Sequence, residues 1–104
     1  MADNIQLDVL AVFSHPDDAE LTMAGTLFKL KAQGYRTGVI DMTRGEMGTR
    51  GTPEIRAREA LDAAALMGLS VRLNLGLRDG HVTANDESRQ ALVRAFRRHR
   101  PKVV

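Results

Sequence analysis

The segment Ser14-His15-Pro16-Asp17-Asp18-Ala19-Glu20 puts an imidazole and two adjacent carboxylates on one short turn. These are hard or borderline donors of the kind that hold Zn²⁺ or a related divalent ion. His15 and Asp18 are three residues apart, so across a strand-to-helix bend both can face one crevice as ligands. Asp17 points elsewhere from its neighbour and can stand beside a water activated by the ion. Zinc brings the pKa of such a water to around 7, and a nearby carboxylate can then take its proton as general base. The bland alternative is that Asp17 and Asp18 cap a helix at the positive end of its dipole, with His15 a polar strand end. Capping needs one acid, and it gives no reason for His-Pro before a double acid.

The elements around this turn must hold it at the edge of a sheet. Leu7 to Phe13 is a nearly continuous apolar run, which suits a strand covered on both faces. His15 precedes a proline, which favours extended backbone and ends the strand. Asp17 to Gln33 is predicted as one helix with Leu21, Ala24, Leu27, Phe28 and Lys31 on one side and Gly34 as its stop. A second strand is expected over Arg36–Thr43, followed by the glycine-rich stretch Arg44 to Gly51. Thr52 as N-cap and Pro53 at the first helical position open the next helix, which stops at Gly68. Val71–Leu75 reads as a third strand, Gly76 to His81 as a loop, and Asn85 or Asp86 as the cap of a third helix. The apolar face of that helix carries Leu92, Ala95, Phe96 and His99, and Pro101 ends it before Lys102-Val103-Val104 begins a fourth strand.

The order β-α-β-α-β-α-β with short connections implies an α/β fold. It is a doubly wound, Rossmann-like parallel sheet with helices on both faces, broken off in the fourth strand. In such sheets ligands bind beyond the carboxyl ends of the strands, where the acidic turn lies. The chain has 104 residues, room for one core, and shows no repeat, linker or low-complexity tract. It stops two residues into an apolar run, so it is expected to be the N-terminal part, residues 1–104, of a single longer domain.

Composition removes several function classes. There is no cysteine, hence no disulfide framework and no thiolate metal site. Fifteen basic against thirteen acidic residues give a formal charge of +2, too little to imply nucleic acid. The pI of about 9.5 mostly reflects Arg94, Arg97, Arg98, Arg100 and Lys102, read as a solvated helix face. Four aromatic residues and no Trp offer little surface for stacking bases. No apolar run approaches the roughly 20 residues of a membrane span, and Met-Ala-Asp-Asn-Ile-Gln does not read as a signal peptide. The expectation is a cytoplasmic protein with no nucleic-acid or membrane partner.

The residues now carry a resemblance. His15-Pro16-Asp17-Asp18-Ala19-Glu20 resembles the His-Pro-Asp-Asp-x-Glu signature of the LmbE/PIG-L family of zinc-dependent N-deacetylases. The likeness continues through Gly25-Thr26, the block Asp41 to Thr49, Gly51 to Arg56, Asn74 to Gly80 and Arg100 to Val104. It implies that His15 and Asp18 bind one zinc per chain and that Asp17 is the catalytic base removing an acetyl group from an amino sugar. It also implies that Glu46, Arg56 and Asp79 contact the sugar. Taken alone, these three read as an exposed loop acid, a helix surface residue and a turn former. The family's third ligand is a later His, expected beyond Val104, so the 104 residues alone are expected to be inactive. His81, on the ligand side, is a weak substitute for it, and His99 is expected to be structural.

Among family members the blocks look closest to deacetylases of N-acetylglucosaminyl-malate in bacillithiol biosynthesis. Mycothiol-type deacetylases, other N-acetyl sugar deacetylases and thiol-conjugate amidases are the alternatives. The implied partner is a small amino-sugar substrate, and a homo-oligomer is compatible with this reading. Two other classes compete. A nucleotide-binding Rossmann module would use Asp41 on the ribose, although the first turn lacks its glycines and puts carboxylates where a pyrophosphate would sit. A phosphoacceptor domain would need an acid at the end of strand three, where Asn74-Leu75-Gly76 has none.

Overall fold

The computed structural model describes residues 5–48 and 51–104; Met1–Asn4 and Thr49–Arg50, the end of the glycine-rich block, lie outside the described residues. Three parallel strands, β1 (Val9–Phe13), β2 (Thr37–Thr43) and β3 (Val71–Leu77), form a sheet in the order β1-β2-β3. Val9 faces Thr37 and Phe13 faces Asp41, while Gly38 faces Val71 and Asp41 faces Asn74. Val103 makes a parallel bridge to Val9 on the other side of β1, which places the expected fourth strand there.

Alternation along the strands sorts the core into two layers, as the period of two requires. Leu10 and Ile40 point to a cluster with Leu7, Val71 and Ala95. Ala11 and Val39 point the other way, to Ala19, Leu27 and Met67. The first layer is roofed by α4 (Asp86–His99) through Leu92, Ala95 and Phe96. The second is covered by α1 (Asp18–Thr22), α2 (Ala24–Ala32) and α3 (Pro53–Met67). Helices therefore cover both faces of a parallel sheet, the doubly wound α/β arrangement expected from the sequence.

Local chemistry explains most boundaries. Thr52 caps α3 by accepting from the Ile55 N–H at 3.1 Å, with Pro53 just inside. Gly68 ends α3 at φ 64°, a left-handed conformation that glycine adopts without a Cβ penalty. Asn85 caps α4 through a reciprocal box with Ser88.

Three expectations change. The first helix is two helices, divided at Met23 (φ −128°, ψ 2°). Thr22 donates its hydroxyl to the Asp18 carbonyl at 2.6 Å, a back-bond that competes with the helical ladder and bends it. As a result the expected apolar side is not one surface: Leu27 is fully buried, whereas Leu21 is 79% exposed. The third strand runs on to Leu77, because the pairing shifts between Asp41 and Thr43 and β3 holds one extra residue there. Gly76, at φ 67°, lies in that bulge. No helix among the described residues is long and apolar enough to cross a membrane.

Candidate functional site

Each strand delivers its loop to the same edge. His15 lies two residues past β1, Glu46 three past β2 and Asp79 two past β3, while Arg56 stands in the first turn of α3. The turn after β1 is pinned to the sheet where Thr43 donates both its N–H and its hydroxyl to the Ser14 carbonyl, at 3.0 and 2.9 Å.

All six residues singled out in the sequence are brought together. His15 Nε2 is 2.9 Å from Asp79 Oδ1, and His15 Nδ1 is 3.5 Å from Asp18 Oδ2. The same Asp18 oxygen accepts the His15 backbone N–H at 2.9 Å, which folds the turn back on itself. Asp79 Oδ2 accepts the Met47 N–H at 2.9 Å, and the Asp79 N–H donates to Glu46 Oε2 at 2.8 Å. Arg56 donates to the Gly45 carbonyl at 2.8 Å and places Nη2 3.5 Å from Asp17 Oδ1. Asp17 occupies the N-cap position of α1, yet its side chain makes no capping hydrogen bond. It is 58% exposed and turned towards Arg56, so helix capping does not account for it.

The hydrogen bonds set the charges. The Met47 N–H holds the Asp79 carboxyl below its ordinary value; partial burial opposes this and the His15 contact adds to it. The Asp79 N–H does the same for Glu46. Gly45 and Gly48 have a use beyond forming turns: a Cβ at either would overlap the Arg56 guanidinium, so they make room for it.

One residue that supports the site escaped the sequence reading. Beneath the turn lies Arg72 of β3, with a side chain only 4% exposed. It donates to Asp41 through Nε and Nη2 at 2.8 and 3.1 Å, to Glu20 at 2.9 Å and to the Ala60 carbonyl at 3.3 Å. A further bond, 2.6 Å long, reaches the carbonyl of Pro16, inside the acidic turn itself. The available signal was an arginine between Val71 and Leu73, in a strand otherwise apolar on that stretch, with an acid at the middle of the neighbouring strand. Burial pushes the Asp41 carboxyl up and the Arg72 guanidinium opposes this. Because Asp41 is spent on Arg72, it is not offered to a ribose, which removes the main support for a nucleotide-binding module.

His99 is buried, with Nδ1 2.8 Å from the Ile5 carbonyl, in keeping with a structural role. His81 is exposed and its Nδ1 lies 3.0 Å from the Asp79 carbonyl. Among the described residues no group of three or more His, Asp or Glu converges to hold an ion. His15 and Asp18 fit as a pair of ligands: two donors about 2.0–2.1 Å from a tetrahedral zinc stand about 3.3–3.4 Å apart, close to the 3.5 Å seen here.

A parallel sheet with this acidic turn at its carboxyl edge defines an α/β protein with a cluster of polar and charged side chains where such sheets bind ligands. Residues 10–104 match the PIG-L family, described as GlcNAc-PI de-N-acetylase, and the chain belongs to that family. A Thermus thermophilus structure, that of the conserved protein TT1542, is 49% identical and superposes with a TM-score of 0.89 over 94% of this chain and 45% of its own. A Segniliparus rotundus protein named 1D-myo-inositol 2-acetamido-2-deoxy-alpha-D-glucopyranoside deacetylase is 38% identical over 65% of this chain and 22% of its own length. A Bacillus anthracis protein named "Probable N-acetyl-alpha-D-glucosaminyl L-malate deacetylase 2" is 37% identical over 68% of this chain and 32% of its own length. The chain thus spans between about a fifth and a half of these relatives.

Proposed function

We propose that this chain is the N-terminal part of a single metal-dependent deacetylase domain that removes the acetyl group from an N-acetylglucosamine conjugate. The observation that carries the reading is the meeting of His15 Nδ1 and Asp18 Oδ2 at 3.5 Å with the uncapped Asp17 beside them. His15 and Asp18 would hold a zinc ion, and a third protein ligand would come from sequence outside these 104 residues. The bound ion would supply Lewis acidity to the acetamide carbonyl and make water acidic enough to deprotonate near neutral pH.

The chain's own residues do the rest. Asp17 accepts the proton as water adds to the acetamide carbon. The C–N bond then breaks, acetate departs and the sugar nitrogen leaves as an amine after taking that proton back from Asp17. Arg56 holds Asp17 from the side and, with Glu46, frames the space for the sugar. Asp79 belongs to the same cluster, and the resemblance gives it to the sugar as well.

As substrate we assign N-acetylglucosaminyl-malate, the bacillithiol-pathway conjugate, to a cytoplasmic enzyme without nucleic-acid or membrane partners. The Bacillus anthracis relative's name supports that choice, and the Segniliparus rotundus relative's name supports an inositol conjugate as the alternative. The test uses the longest natural reading frame containing the chain. Metal analysis should find about one zinc per chain, and the malate conjugate should release acetate faster than the inositol conjugate. Asp17→Asn should keep the zinc and lose 10²–10⁴-fold in turnover, the range of a general base. Full turnover in Asp17→Asn would remove the base from this scheme.

A further inference from the structure

Resting on that reading, the geometry points to a second task for Asp79: we propose that it is a positioning residue that grips His15 by Nε2 and thereby commits Nδ1 to the metal ion. A histidine can bind a metal through either ring nitrogen, and the hydrogen bond at one decides which lone pair the other offers. A carboxylate only accepts hydrogen bonds. At 2.9 Å from Asp79 Oδ1, His15 Nε2 is placed to donate its hydrogen to that carboxylate, which leaves Nδ1 as the nitrogen whose lone pair would meet an ion. That nitrogen is the one 3.5 Å from Asp18 Oδ2, at the spacing of two ligands on one ion. The opposite choice would place the ion where Asp79 Oδ1 already stands.

Asp79 is built to hold rather than to move. Its side chain is 7% exposed, against 42% for His15. Its second oxygen is fixed by the Met47 N–H and its own N–H by Glu46, so the β2 loop clamps it from two directions. The His81 ring packs against its carbonyl with Nδ1 at 3.0 Å. A carboxylate with both oxygens engaged and little open surface has small capacity left for a sugar hydroxyl. Carboxylate-histidine-metal relays of this kind fix ring orientation and raise ligand basicity, and losing the outer carboxylate costs 10–100-fold in metal affinity or activity.

Two measurements on the full-length protein decide the matter. In the zinc-loaded wild type, long-range ¹H–¹⁵N spectra should show His15 with a protonated Nε2 and a metal-bound Nδ1. A metal-bound Nε2 overturns the proposal without recourse to any variant. Zinc competition against a chromogenic chelator should give Asp79→Ala and Asp79→Asn roughly 10–100-fold weaker affinity, with circular dichroism unchanged. Sugar contact alone would produce the reverse, an unchanged zinc affinity and a raised KM, and would overturn the proposal while leaving the deacetylase reading intact. A wild type that neither binds zinc nor releases acetate overturns both.

Discussion

Replacing Arg72 with Met tests whether a buried ionic anchor supports the acidic turn. The guanidinium, 4% exposed, faces an Asp41 side chain that is 3% exposed and holds it with two bonds of 2.8 and 3.1 Å. Arg72→Met leaves that carboxylate without its cation in a place water does not reach. Breaking a buried pair from one side costs about 3–5 kcal/mol, a large share of the roughly 5–15 kcal/mol that holds a domain together. With a urea m-value of about 1.5 kcal/mol/M, the unfolding midpoint should fall by about 2–3 M at unchanged m. The double variant Arg72→Met, Asp41→Leu should recover most of the loss, because no fully buried charge is stranded and Glu20, 28% exposed, keeps its access to water. The pH dependence has a definite sign. The Asp41 carboxyl is already pushed up by burial, so its protonated form is favoured in the fold. The associated stability is present below the ordinary unfolded carboxylate value and is lost as pH rises through the folded one. The Arg72→Met defect should therefore be smallest in acid and grow towards neutrality. Equal losses in the single and double variants, or a single-variant loss below about 1 kcal/mol as for an exposed pair, would refute the argument.

Two further outcomes follow from local geometry. Asp8 accepts the Arg36 N–H at 2.8 Å and faces Lys102 at 3.5 Å, and the Arg36 N–H is the main reason its carboxyl lies below the ordinary value. Its contribution is present above the unfolded carboxylate value and lost as pH falls through the folded one, so Asp8→Asn should flatten the acid limb of a stability-pH curve; an unchanged limb would rule Asp8 out as its source. Asn85→Ala removes the acceptor for the Ser88 N–H at 3.0 Å and should cost about 1 kcal/mol in denaturant unfolding; no measurable loss would show that Ser88 caps α4 alone.

What could be read from the sequence divides along the range of the interaction. Strand and helix identity follows from apolar period, and Thr52, Gly68 and Asn85 act within four residues of themselves, so the α/β alternation was legible. The grouping of His15 and Asp18 on one turn was legible for the same reason. The break at Met23 was not, because the apolar positions continue past it while a single hydroxyl, that of Thr22, diverts the backbone. The Arg72–Asp41 pair depends on β2 and β3 register, which no local pattern states. The contact between His15 and Asp79 joins residues 64 apart. Only the family resemblance placed Asp79 at the site, and it said nothing of the contact with His15. The close approach of Arg56 to Gly45 and Gly48 was hidden by the ordinary look of glycines in a loop.

The bulge at Gly76 has a consequence for how this chain can change. Between Asn74 and Leu77 the third strand carries one residue more than its partner. Deleting that extra residue would leave Asn74 opposite Asp41 and Leu77 opposite Thr43, as they stand now. Arg78-Asp79-Gly80 would then start from the same point of the sheet, and Asp79 would stay within reach of His15. The bulge is one residue of slack just ahead of the loop that carries Asp79. In this region a one-residue shortening is less damaging to the site than loss of the Asp79 carboxylate.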